Sequence, residues 1–400
     1  MKHRNAKLLS TLVALISMVS CARPCCAVWT EGDTDDETGR TLYTMEIQNP
    51  PAGTDWAVLF NQFIEPIDIQ ESSQGTIEFV RGTLYVLRPV EDTGGKTLTV
   101  RYFSRPLLSQ GRAPEAFYLQ IGADKPVEIP FSHNFQPVED VTSFEYTPVE
   151  TGITDMIPQL KSVTCLEGSA TLNPQAAVEY VEGHTPGWYR ITIAQDTRIE
   201  AADGDGAYYA ANTIGKLIEN AGGVQMPAMV IEDWPDLLHR GVMLDVSRNF
   251  TGKEGVLRLI DLLARYKANI LHLHLADDEG WRLEIDGLPE LTSYGAFRAV
   301  PTLNPDGSLS ETEGLQIAYS ATSGRDDADA PGNGYYSRAD FIEILKYAKE
   351  RHIYVIPEFD TPGHSRAAIK SMEKRAELTG DASYILSDPQ DTSVYHSAQD

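Results

Sequence analysis

Apolar and polar positions alternate with a period of two over much of the first third of the chain. Thr41–Gln48, Trp56–Phe63, Thr76–Phe79, Thr83–Pro89, Thr97–Phe103 and Ala116–Gln120 read as short strands, with Gly- and Pro-containing turns between them. That series predicts a β-sandwich over residues 28–147.

From about Pro148 the pattern is mixed. Gly187–Ile193 alternates as a strand. Ala207–Ile218 spaces Tyr208, Ala211, Ile214 and Leu217 by three and four, which predicts one buried helix face. Glu232-Asp233-Trp234-Pro235 reads as the loop closing an α+β domain over 148–235, since proline disfavours helix at the residue before it.

Beyond residue 236 strands and helices alternate. Gly241–Val246 is strand-like, and Thr251 and Glu254 have the spacing of a capping box. Val256, Leu259, Ile260, Leu263 and Tyr266 follow at helical spacing, then the strand Asn269–Leu275. A polar, Gly-rich loop runs from Gly295 to Gly334. Ser337 and Asp340 cap a helix with Phe341, Ile344, Leu345 and Ala348 inward, and Ile353–Ile356 is the third strand. Such alternation implies parallel pairing, in either a barrel or a doubly wound sheet.

Composition narrows the class. The 400 residues, 42% hydrophobic and 9% aromatic, suit two or three packed domains. A net charge of −25 argues against nucleic acid as a partner, because phosphate binding needs a basic face. Lys2, His3, Arg4 and Lys7 precede an apolar run from Leu8 to Val19, which reads as an export leader over residues 1–27. Met18-Val19-Ser20-Cys21 resembles a lipoprotein cleavage box, making Cys21 a candidate lipid anchor; ordinary cleavage slightly later is the alternative. The expected location is the periplasm, the outer membrane as a lipoprotein, or the medium by secretion. No other segment is long and apolar enough to span a membrane. Cys165 stands alone in the body of the chain, so no internal disulfide is expected.

Candidate chemistry gathers at strand ends. The run Asn269–Leu275 leads into three consecutive carboxylates, Asp277, Asp278 and Glu279, and acids just past a strand are where α/β barrels build sites. Arg240 heads the preceding strand; Asp245, Arg248 and Asn249 sit at its far end. Pro362-Gly363 is a turn that can fold His364 over the strand ends, beside Glu358 and Asp360, where a carboxylate would fix its tautomer. Alternation puts Leu271, Leu273, Leu275 and Asp277 on one face and His272 and His274 on the other, toward the surrounding helices. These histidines are therefore not expected to meet Asp277. His-x-His also reads as a metal site, so a metal-dependent amidohydrolase-type barrel is one alternative; the main expectation is no metal and no cofactor.

The strings Arg240-Gly-Val-Met-Leu-Asp-Val-Ser-Arg-Asn-Phe250, His272-Leu-His-Leu-Ala-Asp-Asp-Glu-Gly-Trp-Arg282, Leu288-Pro-Glu-Leu-Thr292 and Glu358-Phe-Asp-Thr-Pro-Gly-His364 resemble glycoside hydrolase family 20 β-N-acetylhexosaminidases, particularly the bacterial chitobiase-like branch. The resemblance runs from about Ala201 to the end and is looser over the N-terminal region, which resembles that branch's carbohydrate-binding-like domain. It implies that residues 236–400 are the first part, about three strands, of a (β/α)8 TIM barrel. It implies removal of terminal non-reducing N-acetylhexosamine from oligosaccharides or glycans, by retaining hydrolysis in which the substrate's acetamido oxygen forms an oxazolinium intermediate. By the same resemblance Arg240 holds the sugar's ring hydroxyls, and Asp277 pairs with His364, which supports an acid glutamate. All three are expected at one rim around a single pyranose.

The family's Gly-Asp-Glu motif, which carries the acid, does not follow His364. The 400-residue chain is therefore expected to be the front part of a longer enzyme and inactive by itself. A non-catalytic carbohydrate-binding protein is the second alternative, using Arg240 or sandwich aromatics such as Trp56 and Tyr85, against a plainer reading of those rings as core.

Overall fold

The computed structural model describes residues 24–62, 65–69, 74–81, 84–136, 152–299, 301–310, 315–316 and 332–385. The expected leader through Val19 and the candidate anchor Cys21 lie outside the described residues. The chain divides into two compact units. Of the described residues, the first holds those up to 136 together with 301–310, and the second holds the rest.

In the first unit one five-stranded sheet is built from β1 (Cys26–Thr34), β2 (Thr41–Gln48), β4 (Asp68–Ile69), β7 (Leu98–Ser104) and β10 (Phe131–Asn134), in the order β10-β1-β2-β7-β4. The other comprises β3 (Trp56–Asn61), β5 (Gly75–Arg81), β6 (Leu84–Pro89), β8 (Glu115–Ile121) and β9 (Val127–Glu128), ordered β5-β6-β3-β8-β9. Alternation in β2 turns Tyr43, Met45 and Ile47 inward, and one core joins them to Phe60, Leu87 and Phe117 of the other sheet. Trp56 and Tyr85 belong to that core, so the plainer reading of those rings holds. Part of the long loop predicted after Gly295 joins this unit: Gln120 donates to Leu303 O and accepts from Leu303 N, both at 2.8 Å.

The second unit opens with β11 (Ser162–Thr171), β12 (Val178–Tyr180), β13 (Tyr189–Ile193), β14 (Thr197–Ala201), helix α1 (Gly204–Ala221) and β15 (Gln225–Asp233). The sheet order is β11-β15-β13-β14-β12, with α1 packed on Ile191, Ile193 and Ile231. Asp203 caps α1 by accepting from Gly206 N at 2.8 Å, and Gly222 ends it at φ 66°, a conformation only glycine adopts without strain. Two expectations are corrected. The buried face of α1 runs through Tyr209, Ala210, Thr213, Ile214 and Leu217, leaving Ala211 exposed. Glu232 and Asp233 are not loop but strand, paired across to Arg190 and Tyr189; a proline two residues on restricts only the residue before it, and to extended backbone.

The unit continues with β16 (Gly241–Asp245), α2 (Lys253–Arg265), β17 (Ile270–Ala276), α3 (Glu290–Ser293), β18 (Arg298–Ala299), β19 (Leu315–Gln316), α4 (Arg338–Glu350), β20 (Tyr354–Phe359) and α5 (Arg366–Thr379). β16, β17 and β20 form a parallel sheet in the order β16-β17-β20. Leu271, Leu273 and Leu275 pack under Val256 and Ile260 of α2 and Ile344 and Ala348 of α4. The expected box at Ser337 forms, with Asp340 N donating to Ser337 Oγ at 3.1 Å and Ser337 N to Asp340 Oδ2 at 3.2 Å. The expected box at Thr251 does not form: the helix starts one residue later, with Gly252 as N-cap and no side-chain cap. Tyr266 and Leu345 are exposed rather than inward.

A basic side chain precedes each of the three parallel strands and meets the preceding α1 and sheet layers. Arg240 Nη2 donates to Tyr209 Oη at 2.7 Å. Lys267 Nζ donates to Asp233 Oδ2 at 2.8 Å and Tyr189 Oη at 2.7 Å. His352 Nδ1 lies 2.6 Å from Asp205 Oδ1, its ring stacked on Tyr208.

Candidate active site

Because the sheet is parallel, the C-terminal ends of β16, β17 and β20 share one rim. After β16, Asp245 Oδ1 accepts from the backbone N–H of Ser247 (2.9 Å) and Arg248 (3.1 Å), folding the chain so that Arg248 turns back over the rim. After β17 the pairing with β20 shifts register between His274 and Ala276. Asp277 N then donates to Gly280 O at 3.0 Å, closing a tight turn that holds all three carboxylates buried. After β20 the Pro362-Gly363 turn delivers His364, which sits at φ 53°.

These turns bring the polar groups together. His274 Nε2 lies 2.6 Å from Asp277 Oδ2, and its Nδ1 lies 2.9 Å from Glu358 Oε2. His272 Nε2 approaches the same Glu358 oxygen at 2.8 Å. His364 Nδ1 is 3.2 Å from Asp277 Oδ1. This corrects the expected separation of the histidines from Asp277. The leucine face of β17 is the one that meets the helices, so the histidines point away from them, and the register shift turns Asp277 onto their side.

Arg240 does not join this cluster. It stands before β16, at the opposite end of the strands from Asp277 and His364. Its guanidinium donates to Lys267 O (2.8 Å), Leu237 O (2.6 Å) and Tyr209. The guanidinium at the rim belongs to Arg248. Its Nη2 lies 2.6 Å from Asp277 Oδ2, its Nη1 2.8 Å from Asp245 Oδ2, and its Nε 3.3 Å from Glu279 Oε2. With 40% of its side chain exposed, Arg248 keeps one side open to solvent. The signal that separates the two arginines is present in the strand pattern itself: a residue that heads a parallel strand cannot share a rim with residues that follow its neighbours.

Two fully buried arginines hold the loops that present Arg248. Arg282 donates to five carbonyls, those of Val246, Ser247, Ala296, Gly332 and Gly334, at 2.6–3.0 Å. Arg298 donates to the carbonyls of Glu279 (3.1 Å), Ser247 (3.3 Å) and Arg248. Gly280 is required by close approach, since a Cβ there would overlap the guanidinium of Arg282.

Charge at the rim is tuned by these contacts. The hydrogen bond to Asp277, more than offsetting burial, raises His274 to about 9, so its ring is an imidazolium bridging two carboxylates at neutral pH. Burial alone would raise Glu358, but the His274 hydrogen bond and charge win and lower it. Burial raises Asp278, and burial with the neighbouring Asp277 raises Glu279. His274, Glu358 and Asp360 are close enough to share a cation, as are Asp277, Asp278 and His364.

The arrangement brings a part-exposed guanidinium, a buried carboxylate and an exposed histidine together at one rim, a set suited to hydroxyl-rich neutral ligands. Residues 238–399 match the family model described as glycosyl hydrolase family 20, catalytic domain, and residues 182–234 match glycosyl hydrolase family 20, domain 2. The chain is 46% identical over 215 residues to N,N'-diacetylchitobiase of Vibrio harveyi, covering 52% of this chain and 23% of that protein. It is 43% identical over 221 residues to a beta-hexosaminidase of Vibrio vulnificus, covering 53% of this chain and 25% of that protein. Its fold is similar to the GH20 exo beta-N-acetylglucosaminidase of Vibrio harveyi in complex with N-acetylglucosamine, with TM-score 0.70 and 22% identity over 88% of this chain and 59% of that one. The chain thus spans about a quarter of the length of these two curated relatives.

Proposed function

Residues 182–399 belong to glycosyl hydrolase family 20, and from that premise we propose that the protein works as a chitobiase-like β-N-acetylhexosaminidase on terminal, non-reducing N-acetylhexosamine. In this reading β16, β17 and β20 are the first part of a (β/α)8 barrel, and their shared rim is its sugar-binding mouth.

Arg248, in place of Arg240, donates to the ring hydroxyls of the terminal sugar. Asp277 Oδ1, 3.2 Å from His364 Nδ1, and Arg248 Nη2, 3.4 Å from the same nitrogen, hold that ring in place, leaving Nε2 to support a proton donor. The substrate's acetamido oxygen attacks its own anomeric carbon, and the sugar–oxygen bond breaks as the leaving oxygen takes a proton. No Gly-Asp-Glu sequence follows His364 in the 400 residues, so that proton donor is not assigned to a residue here. Export through a leader over residues 1–27, with Cys21 as lipid anchor, would place the enzyme where glycans are met; Cys21→Ala should release it from the membrane fraction.

The observation that carries the reading is the convergence of Arg248 and His364 on Asp277, at 2.6 and 3.2 Å. NMR titration with N-acetylglucosamine tests it. Binding that is lost in Arg248→Ala is expected; no binding by the wild type, or binding indifferent to Arg248, overturns it.

A further inference from the structure

Glu279 is only 3% exposed, yet its Oε2 accepts no hydrogen bond. An orphaned buried carboxylate oxygen is costly and needs a reason. That oxygen lies 3.3 Å from Arg248 Nε, on the edge of the guanidinium that neither Asp245 nor Asp277 occupies. The buried Arg298 guanidinium also acts on this carboxylate, and the backbone carrying it is pinned on both sides. Arg298 Nε holds Glu279 O at 3.1 Å, and Ser247 Oγ holds Gly280 O at 2.6 Å.

The three acids around Arg248 are therefore not equivalent. Asp245 and Asp277 lie at the two terminal nitrogens, the ones a ligand's hydroxyls would engage. Glu279 lies at the inner nitrogen, out of reach of solvent. A ligand that takes Nη1 or Nη2 loosens the first two contacts and leaves the third.

We propose that Glu279 is a positioning residue: its buried carboxylate anchors the Nε edge of Arg248 and so decides which ring hydroxyls the terminal nitrogens reach. This rests on the reading of Arg248 given above and adds a determinant of sugar specificity to it.

The test is binding of N-acetylglucosamine and of its C4 epimer, N-acetylgalactosamine, by NMR titration. Glu279→Gln keeps the shape and removes the charge. It should weaken the preferred sugar about tenfold and shift the ratio of the two affinities by at least about threefold. In an Arg248→Lys background, which keeps a cation and residual binding but has no guanidinium edge for Glu279 to hold, the same change should leave the ratio unmoved, because it acts through that guanidinium. Glu279→Asp, which keeps the charge but retracts it, should move the ratio the same way by a smaller step, and it serves if the glutamine variant does not fold. An unchanged ratio in both variants, or an equal loss for both sugars, overturns the proposal. So does a further shift of the ratio in the Arg248→Lys background. A wild type that binds neither sugar removes the reading of Arg248 itself, and this inference with it.

Discussion

His274 Nε2 sits 2.6 Å from Asp277 Oδ2, and both side chains are almost wholly buried, at 3% and 1% exposure. Since the other ring nitrogen meets Glu358, one imidazolium ties the end of β17 to the end of β20. Removing either acid would leave a buried cation half-paired. The rim depends on protonation as much as on packing.

The pH dependence follows in sign. His274 is raised from 6.5 to about 9, so the stability it contributes is fully present below about pH 6.5 and is lost as pH rises through about 9. The loss should be a few kcal/mol, since each pH unit between those two values is worth on the order of 1.4 kcal/mol. Glu358 is lowered and acts in the opposite direction, its contribution disappearing as pH falls through its folded value. Urea unfolding between pH 6 and 10 should show a decline that starts near pH 6.5, levels off above about 9 and is abolished by His274→Gln.

Lys267 and Asp233 form the corresponding tie at the other end of the strands, with 8% and 9% of their side chains exposed. Lys267→Met strands a buried carboxylate with only Tyr189 Oη to donate to it, which should cost about 3–5 kcal/mol in a denaturant titration. Adding Asp233→Leu should recover most of that loss. A single variant as stable as wild type would show that the pair is not buried in solution.

Gly280→Ala should damage the rim without touching any charged group. The new methyl overlaps Arg282, which cannot yield because five carbonyls hold it. The expected cost is about 1–3 kcal/mol of stability. Binding of N-acetylglucosamine should weaken too, since two of those carbonyls, of Val246 and Ser247, belong to the loop that carries Arg248.

Arg240 and Arg248 should separate cleanly. Arg240→Ala removes three hydrogen bonds beneath the sheet and should lower stability by about 2–3 kcal/mol, while sugar affinity stays within about twofold. Arg248→Ala should abolish sugar binding, and it should lower the melting temperature as well, since it leaves Asp277 and Glu279 buried without that cation. Thermal melts and NMR titrations on the two variants decide it, and loss of binding in Arg240→Ala would return that residue to the site.

Much of this is legible along the chain, for local reasons. The strands of the first unit appear as alternation; Ser337 and Asp340 announce a capped helix; the leucines of β17 mark a face that must be covered. Three acids directly after an apolar strand have no place in a core, so they had to lie at its mouth. The strand Cys26–Thr34 is hidden because its second half, Thr30-Glu-Gly-Asp-Thr34, breaks the alternation of apolar and polar positions.

What the one-dimensional pattern determined, then, is the inventory: which segments form strands, which helices cover them, and that Asp277 and His364 follow strands. Tertiary structure alone decided who meets whom. A single register shift beside Ala276 put Asp277 on the histidine side, where strict alternation keeps it away. The five residues of β16 span roughly 16 Å at about 3.3 Å each, and in a parallel sheet that length separates a head residue such as Arg240 from every tail. Periodicity records spacing within a strand, but direction and register exist only between strands.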